Sequence, residues 1–107
     1  MAKTRQAIKK IVDQYRAVLE KFGIHAERVV LYGSFAQGKD RADSDIDLVV
    51  ISQDFKGLNL RERLEILGKA AARVMKPIEA RGYTPQEMKK TSSLSFLSEV
   101  LKVGVPI

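Results

Sequence analysis

The stretch 29–50, VVLYGSFAQGKDRADSDIDLVV, decides the fold of this chain. It opens with the apolar end of a predicted strand over 27–32, and the pair Gly33-Ser34 that follows is typical of a tight turn after a buried strand. Further on, Asp45 and Asp47 alternate with aliphatic residues, and side chains two positions apart on a strand point to the same face. We therefore expect a second strand over 44–51 that carries both carboxylates on one face and aliphatic side chains on the other.

The rest of the chain predicts helices and one more strand around this pair. Apolar residues at steps of three and four predict a helix over 4–22, and a capping box predicts a second helix from residue 59 to about residue 75. A third strand is expected over 78–83, then a short helix that starts at Thr84-Pro85, and another helix over about 93–102. The apolar stripe of the second helix is predicted to contain Leu60, Leu64, Leu67, Ala71 and Val74. The order α-β-β-α-β-α predicts a small α+β fold in which helices pack on a mixed sheet.

Composition bounds the class of protein and its partners. A length of 107 residues suits one domain, so we expect residues 1–107 to form a single domain with one core. The absence of cysteine excludes a disulfide framework and thiolate metal ligands, and we see neither an apolar run of membrane-spanning length nor a signal-peptide pattern. We therefore expect a cytoplasmic protein. The formal charge of +6 favours polyanionic partners such as nucleotides, nucleic acid or an acidic protein surface.

The two carboxylates and the glycine-serine turn suit the chemistry of phosphate transfer. Cα atoms two residues apart on a strand are about 6.5 Å apart, so Asp45 and Asp47 can reach one pair of metal ions. Magnesium prefers carboxylate oxygens, and two such ions can clamp the attacking and leaving oxygens. Gly33 allows a phosphate to approach the backbone closely, and the Ser34 hydroxyl and nearby N–H groups can bind its charge. Glu79 is the candidate for a third carboxylate, as a metal ligand or as the base that takes the acceptor proton.

Three segments resemble the minimal nucleotidyltransferases of the DNA polymerase beta superfamily. They are GSFAQG at 33–38, SDIDL at 44–48 and EARGYTPQE at 79–87, and the resemblance extends over about residues 27–87. It implies the fold of that superfamily and metal-dependent transfer of a nucleoside monophosphate, expected to be AMP, from ATP or another NTP to a hydroxyl. Minimal members are similar to antitoxins that pair with a small helical partner of the HEPN type, and some of them adenylylate a tyrosine of that partner. The resemblance therefore implies the antitoxin of such a pair, with the acceptor hydroxyl on the partner protein.

The resemblance also assigns roles to individual residues. Asp45, Asp47 and Glu79 would be catalytic and would bind a two-ion magnesium site. The nucleotide-binding residues would be Gly33, Ser34, Arg41 and Ser44. Ser44 also suits a simple cap at the entry of the second strand, and Glu79 also suits an exposed strand position without a catalytic role.

Two positions depart from the pattern of the superfamily. Glu79 stands where aspartate is more common, and its extra methylene moves the carboxylate oxygens further from the strand, which is expected to weaken catalysis. Gln37 stands where relatives commonly carry arginine. Arg41 or Lys39 of the same loop would then have to supply the missing phosphate contact.

Two hypotheses of other classes stay open beside the enzyme. The chain would act as a binding module or antitoxin that masks its partner if the nucleotide site is weak or vestigial, and a homo- or hetero-oligomer is compatible with either function. The charge of +6 is the basis of a nucleic-acid-binding hypothesis. That hypothesis predicts an affinity for RNA or DNA that falls steeply with salt.

Overall fold

The computed structural model describes residues 5–32, 46–90 and 105–106 of the chain. The helices are α1 (Arg5–Lys21), a 3₁₀ helix (Gln53–Phe55), α2 (Leu60–Val74) and α3 (Pro85–Lys89). The strands are β1 (Arg28–Tyr32), β2 (Ile46–Ile51), β3 (Ile78–Tyr83) and β4 (Val105–Pro106). They form one sheet in the order β3-β2-β1-β4, in which β2 and β3 are parallel and the other two pairs are antiparallel. The predicted α+β fold with a mixed sheet is confirmed.

Side-chain caps fix the starts of α2 and α3, as the sequence predicts. Asn59 and Glu62 exchange side-chain-to-backbone hydrogen bonds of 2.8 and 2.9 Å at the start of α2. Thr84 and Glu87 form the same capping box at the start of α3, where Pro85 is the first helical residue. Such caps satisfy backbone N–H groups that have no partner inside the helix. The helix predicted over 93–102 lies outside the described residues, and β4 is a strand that the sequence did not predict.

One face of the sheet is covered by α1 and α2, and the opposite face carries a smaller buried cluster. On the covered face, the aliphatic side chains of β1 and β2 pack with α1, α2 and the buried ring of Phe55. The fully buried large side chains there include Val12, Tyr15, Leu19, Ile46, Leu48 and Leu67. The opposite face has a smaller cluster formed by Val30, Val49 and Ile51, with Tyr32, Tyr83 and Met88 packed against it. The period of two along each strand therefore separates the large core from a face that combines this smaller apolar cluster with polar residues of β2 and β3.

The buried side of α2 differs from the predicted apolar stripe. The later members of that stripe are buried or partly buried, but Leu60 and Leu64 at its start are 65% and 45% exposed. The prediction was wrong for these two leucines. In the same two turns, Arg63 is 9% exposed and faces β3 instead. Helical spacing identifies the stripe, but it does not decide which of its members meet the sheet.

Arg63 joins α2, β3 and α3. Its Nε–H donates a hydrogen bond to the Leu58 carbonyl (3.0 Å), and Nη1–H groups donate to the Gly82 carbonyl (3.2 Å) and to the Glu87 carboxylate (2.7 Å). The guanidinium also lies 5.7 Å from the centre of the Phe55 ring. The hydrogen bond from Arg63 is the largest cause that lowers the pKa of Glu87 below its usual value of 4.5. One buried cation thus fixes α3 beside the end of β3.

Candidate active site

Tyr32, Asp47 and Glu79 lie in a row across three adjacent strands, on the face opposite the large core. Tyr32 of β1 pairs with Asp47 of β2, and Asp47 pairs with Glu79 of β3. Neighbouring strands are about 4.8 Å apart, so the backbones of the two acidic residues are immediate neighbours. Asp47 is partly buried and Glu79 is exposed. Two of the three predicted carboxylates are therefore brought together at one end of β2 and β3.

The same groups share one electrostatic environment. Burial is the largest cause that raises the pKa of Tyr32, and the Asp47 carboxylate raises it further. Arg81 lowers the pKa of Tyr32, while Glu79 and Tyr83 raise it. Since a carboxylate disfavours a nearby phenolate and a guanidinium favours it, these directions match the charges on this face. Both carboxylates and the arginine thus act on the same phenol.

Arg81 is a further residue of this face, and it is absent from the site residues that the sequence predicts. It follows Glu79 by two positions on β3 and is paired in register with Val49. Residues Ile78 to Tyr83 alternate in exposure, with Glu79 and Arg81 both exposed. The alternation along β3 that predicts the face on which Glu79 lies also predicts that Arg81 lies on the same face. The sequence alone could therefore have identified Arg81 as a neighbour of the predicted site. Tyr32 is half-buried and packs against the smaller cluster of this face.

A cleft opens along the outer side of β3, next to the carboxylates. It has a volume of about 380 Å³ and lies between the start of α2 and β3. Its lining residues are Leu60, Leu64, Glu79, Ala80, Arg81 and Tyr83. The two leucines that depart from the predicted helix stripe therefore form an apolar wall opposite charged groups of the candidate site.

Two described carboxylates bear on the predicted magnesium site. Among residues 5–32, 46–90 and 105–106, no three His, Cys, Asp or Glu side chains form a group that could hold a metal ion. Asp47 and Glu79 are adjacent oxygen donors of the type that magnesium prefers, so the chemistry of this pair fits that ion. The other predicted site residues lie outside the described residues: Gly33, Ser34, Arg41, Ser44 and Asp45.

Comparison with known proteins shows the family to which this fold belongs. Residues 6–107 match the family model "Polymerase beta, Nucleotidyltransferase", and the chain belongs to that family. A Methanocaldococcus jannaschii protein that is named a protein adenylyltransferase is 32% identical over 81 residues, which cover 76% of this chain and 78% of the relative. The predicted membership of the nucleotidyltransferases is confirmed, and the chain is a transferase.

Solved structures share the fold at low sequence identity. A toxin–antitoxin structure with AMP-PNP has a TM-score of 0.62 and 20% sequence identity. The match covers 88% of this chain and 69% of the chain in that structure. The structure of a mutant of the MntA-HpeT toxin–antitoxin has a TM-score of 0.56 and 19% sequence identity. The match covers 92% of this chain and 69% of the chain in that structure. A nucleotidyltransferase structure from Sulfolobus solfataricus has a TM-score of 0.55 and 20% sequence identity. The match covers 99% of this chain and 89% of the chain in that structure.

In the described part of our chain, no helix has the length and apolar character needed to cross a membrane.

Proposed function

We propose that this chain transfers AMP from ATP to a hydroxyl on a partner protein in a magnesium-dependent reaction. The observation that carries the proposal is the pairing of Asp47 with Glu79 on the face of the nucleotidyltransferase sheet opposite the large core. The relative named a protein adenylyltransferase supports a protein acceptor. The fold neighbour solved with AMP-PNP supports an adenine nucleotide as the substrate.

The roles of the residues follow from the chemistry of the transfer. The acceptor oxygen forms a bond to the α-phosphorus of ATP, the bond to the bridging oxygen breaks, and pyrophosphate leaves. Asp45, Asp47 and Glu79 would hold magnesium, which when bound neutralises phosphate charge and polarises the reacting oxygens. Glu79 is exposed at the cleft, so its carboxylate is also the candidate base for the proton of the acceptor hydroxyl. Gly33 and Ser34 would bind the triphosphate.

The neighbouring residues have supporting roles in this proposal. Arg41 would contact the nucleotide phosphates, since a guanidinium binds phosphate oxygens through two parallel N–H groups. Ser44 would contact the nucleotide through its hydroxyl. Both assignments extend the candidate site beyond the described residues, and both are tested by nucleotide binding to alanine variants.

The proposed partner is a small helical protein of the HEPN type, and the chain would be the antitoxin of that pair. The two toxin–antitoxin structures that share the fold support this choice. We also propose that residues 1–107 act as one minimal nucleotidyltransferase domain in the cytoplasm. The partner would then provide the acceptor hydroxyl that the domain modifies.

Transfer of label from ATP tests the enzymatic proposal. The protein is incubated with magnesium, α-phosphate-labelled ATP and the proposed helical partner protein, and label on that partner is measured. The Asp45→Asn, Asp47→Asn double variant is expected to lower the rate by about 10²- to 10³-fold, as is typical when groups that stabilise transferring charge are removed. Asp13→Asn is the matched control, because Asp13 is exposed on α1 and pairs with Lys9 on the covered side of the sheet.

The result separates transfer from masking. Label on the partner that is lost in the double variant and kept in Asp13→Asn supports the enzyme. Equal labelling by the double variant, or no labelling by the unmodified protein, would remove the catalytic claim. Neutralisation of a toxic partner that survives the double substitution would then identify the binding module that the sequence analysis left open.

A further inference from the structure

The outer side of β3 presents backbone hydrogen-bonding groups. Of the strands in residues 5–32, 46–90 and 105–106, β3 lies at one edge of the sheet. The Pro77 carbonyl, just before β3, accepts a hydrogen bond of 2.7 Å from the Ile46 N–H, and the Tyr83 carbonyl accepts one of 2.9 Å from the Ser52 N–H. Since backbone groups alternate sides along a strand, odd-numbered residues of β3 point theirs toward β2. The N–H and C=O of Ala80, at the middle of β3, therefore point outward, as a strand edge that can pair with another strand.

The flank of α2 beside this edge is apolar. Among the described residues, the exposed large hydrophobic side chains are Leu60, Leu64 and Met75, at 65%, 45% and 85% exposure. With 3.6 residues per turn, these three positions fall within about 60° of one another around the helix. Leu60 and Leu64 line the cleft of about 380 Å³ together with residues of β3. The edge of β3 and this flank thus form one surface.

We propose that two copies of this chain join edge to edge through β3, in an antiparallel pair centred on Ala80. A two-fold axis then places the same surface on both sides of the interface. Ala80 of one copy exchanges two backbone hydrogen bonds with Ala80 of the other, as its outward N–H and C=O allow. The two sheets become one continuous sheet. This inference concerns assembly, and it does not depend on the proposed function.

The charges on β3 select this register. Glu79 and Arg81 lie on either side of Ala80 and are both exposed on one face. With the axis at Ala80, Glu79 of each copy stands opposite Arg81 of the other, in a non-hydrogen-bonded pair whose side chains are close. An axis at Glu79 or at Arg81 keeps the backbone pairing but places like charges opposite each other, which is destabilising. Arg81 can keep its contacts within its own chain, because a guanidinium has five N–H donors.

The same centre suits α2. The hydrogen bond of 3.2 Å from Arg63 to the Gly82 carbonyl sets these two residues at one level. From Arg63 to Gly68 the helix rises about 7.5 Å, and from Gly82 back to Ala80 the strand covers about 6.6 Å. Gly68 is therefore close to the level of Ala80, and a Cβ at Gly68 would meet nothing within 4 Å. The two copies of α2 would thus pass each other at a residue without a side chain.

An antiparallel passage of the two helices brings their apolar ends together. Leu60 lies eight positions before Gly68, and Met75 lies seven positions after it. Leu60 of one copy therefore stands near Met75 of the other, and the cleft beside Leu60 receives that methionine. Side chains stand roughly perpendicular to a sheet, so pairing at the edge leaves the Glu79 carboxylate on the face of the candidate site.

Sedimentation of the full chain measures the association, since a dimer has twice the chain mass of 12.0 kDa. Arg81→Glu and Glu79→Arg are each expected to weaken the dimer by about 10²-fold or more, because like charges then meet across the axis. The double variant Glu79→Arg, Arg81→Glu places opposite charges together in the same register and should restore the dimer. Leu64→Gln should weaken it about 10-fold through lost apolar contact. Arg28→Glu is the matched control, because Arg28 is exposed on the inner strand β1, and it should dimerise like the unmodified chain.

Disulfide formation measures the register directly, because the chain has no cysteine of its own. In a mixture of Glu79→Cys and Arg81→Cys chains, the two thiols stand in a non-hydrogen-bonded pair with Cα atoms about 4.5 Å apart, which suits a disulfide. Cross-linking should be faster in the mixture than in either variant alone, since like positions are two residues out of register. This measurement decides the proposal if a charge-reversal variant does not fold, as judged by circular dichroism.

A dimer that is lost on either charge reversal, restored by the double variant and kept in Arg28→Glu supports the proposal. A monomer at concentrations up to about 1 mM overturns it. Equal association of Arg81→Glu and the unmodified chain, failure of the double variant to restore the dimer, or equal cross-linking in the mixture and the single variants also overturns it. A monomer that binds the proposed helical partner through Leu64 would show that the partner, and not a second copy, occupies this surface.

Discussion

Replacement of Arg63 by methionine tests how α2, β3 and α3 are held together beside the candidate site. The substitution keeps an apolar stem of similar length but removes three hydrogen bonds, to Leu58 (3.0 Å), Gly82 (3.2 Å) and Glu87 (2.7 Å). Loss of one partner from a buried ion pair typically costs 3–5 kcal/mol. The Arg63 side chain is 11% exposed but that of Glu87 is 43% exposed, so water can solvate the carboxylate that is left behind. We therefore expect the lower end of that range, about 3 kcal/mol.

Denaturant and thermal unfolding followed by circular dichroism measure this loss. For a domain of this size, 1 kcal/mol lowers the melting temperature by about 4–8 °C, so the expected decrease is about 12–24 °C. Arg61→Met is the matched control on the same helix. The Arg61 side chain is 89% exposed and pairs with Glu65 at 3.4 Å, so its removal should change the stability by less than about 0.5 kcal/mol. A loss in Arg63→Met below about 1 kcal/mol, or equal to that of Arg61→Met, would refute the structural role of Arg63.

The pH dependence of unfolding provides a second readout of the same contact. The pKa of Glu87 in the folded protein is lowered from 4.5, with the Arg63 hydrogen bond as the largest cause. The unfolded state therefore binds more protons in this window, so the contribution of Glu87 to stability is present above pH 4.5 and is lost as the pH falls through the folded pKa. Arg63→Met should show a smaller loss of stability on acidification than the unmodified protein. Identical pH profiles would contradict the assignment of the pKa shift to Arg63.

Three further substitutions test the packing beneath the sheet. Gly82→Ala would place a Cβ 2.6 Å from the fully buried ring of Phe55. We therefore expect the free energy of unfolding, measured with denaturant, to fall by about 1–3 kcal/mol. A Cβ at Gly68 on α2 would have no atom within 4 Å, so Gly68→Ala should instead raise the free energy of unfolding by about 0.5–1 kcal/mol. A similar change in both variants would contradict the predicted clash. Tyr15→Phe removes the 2.8 Å hydrogen bond to the Leu67 carbonyl and should cost about 1 kcal/mol near neutral pH. Burial raises the pKa of Tyr15 above 10.0, so the unmodified protein should lose stability as the pH rises above 10, and Tyr15→Phe should lose less. Equal losses of stability above that pH would contradict the effect of burial on Tyr15.

Local patterns in the sequence predict much of the fold. The capping boxes at Asn59 and Thr84 depend on residues three positions apart, and both are present in the structure. The alternation along β3 correctly places Glu79 on the face opposite its apolar neighbours. These predictions succeed because each depends on the geometry of a single helix or strand. The role of Glu79 in catalysis stays a prediction, because position on a face does not determine chemistry.

Contacts between distant segments limit what the sequence predicts. Arg63 and Glu87 are 24 positions apart, and no spacing rule connects a helix arginine with the capping glutamate of another helix. β4 has two residues, which is too short for a periodic pattern to develop. Leu60 was wrongly assigned to the core because the position of α2 on the sheet decides which side of a helix is covered. Each of these features depends on how elements dock, and a single-element pattern does not contain that information.

The topology of the sheet explains why one end of it is the natural place for the chemistry. β1 ends at Tyr32 and β2 begins at Ile46, and the antiparallel pairing brings these two points side by side. The parallel pairing of β2 with β3 starts both strands at this same end, which is why Asp47 and Glu79 are neighbours. Residues 33–45, which contain the glycine-serine pair and Asp45, connect the two points in the sequence. The residues that flank this segment, Tyr32 and Ile46, lie next to Asp47, and this adjacency is the physical basis for replacing Asp45 and Asp47 together in the transfer assay.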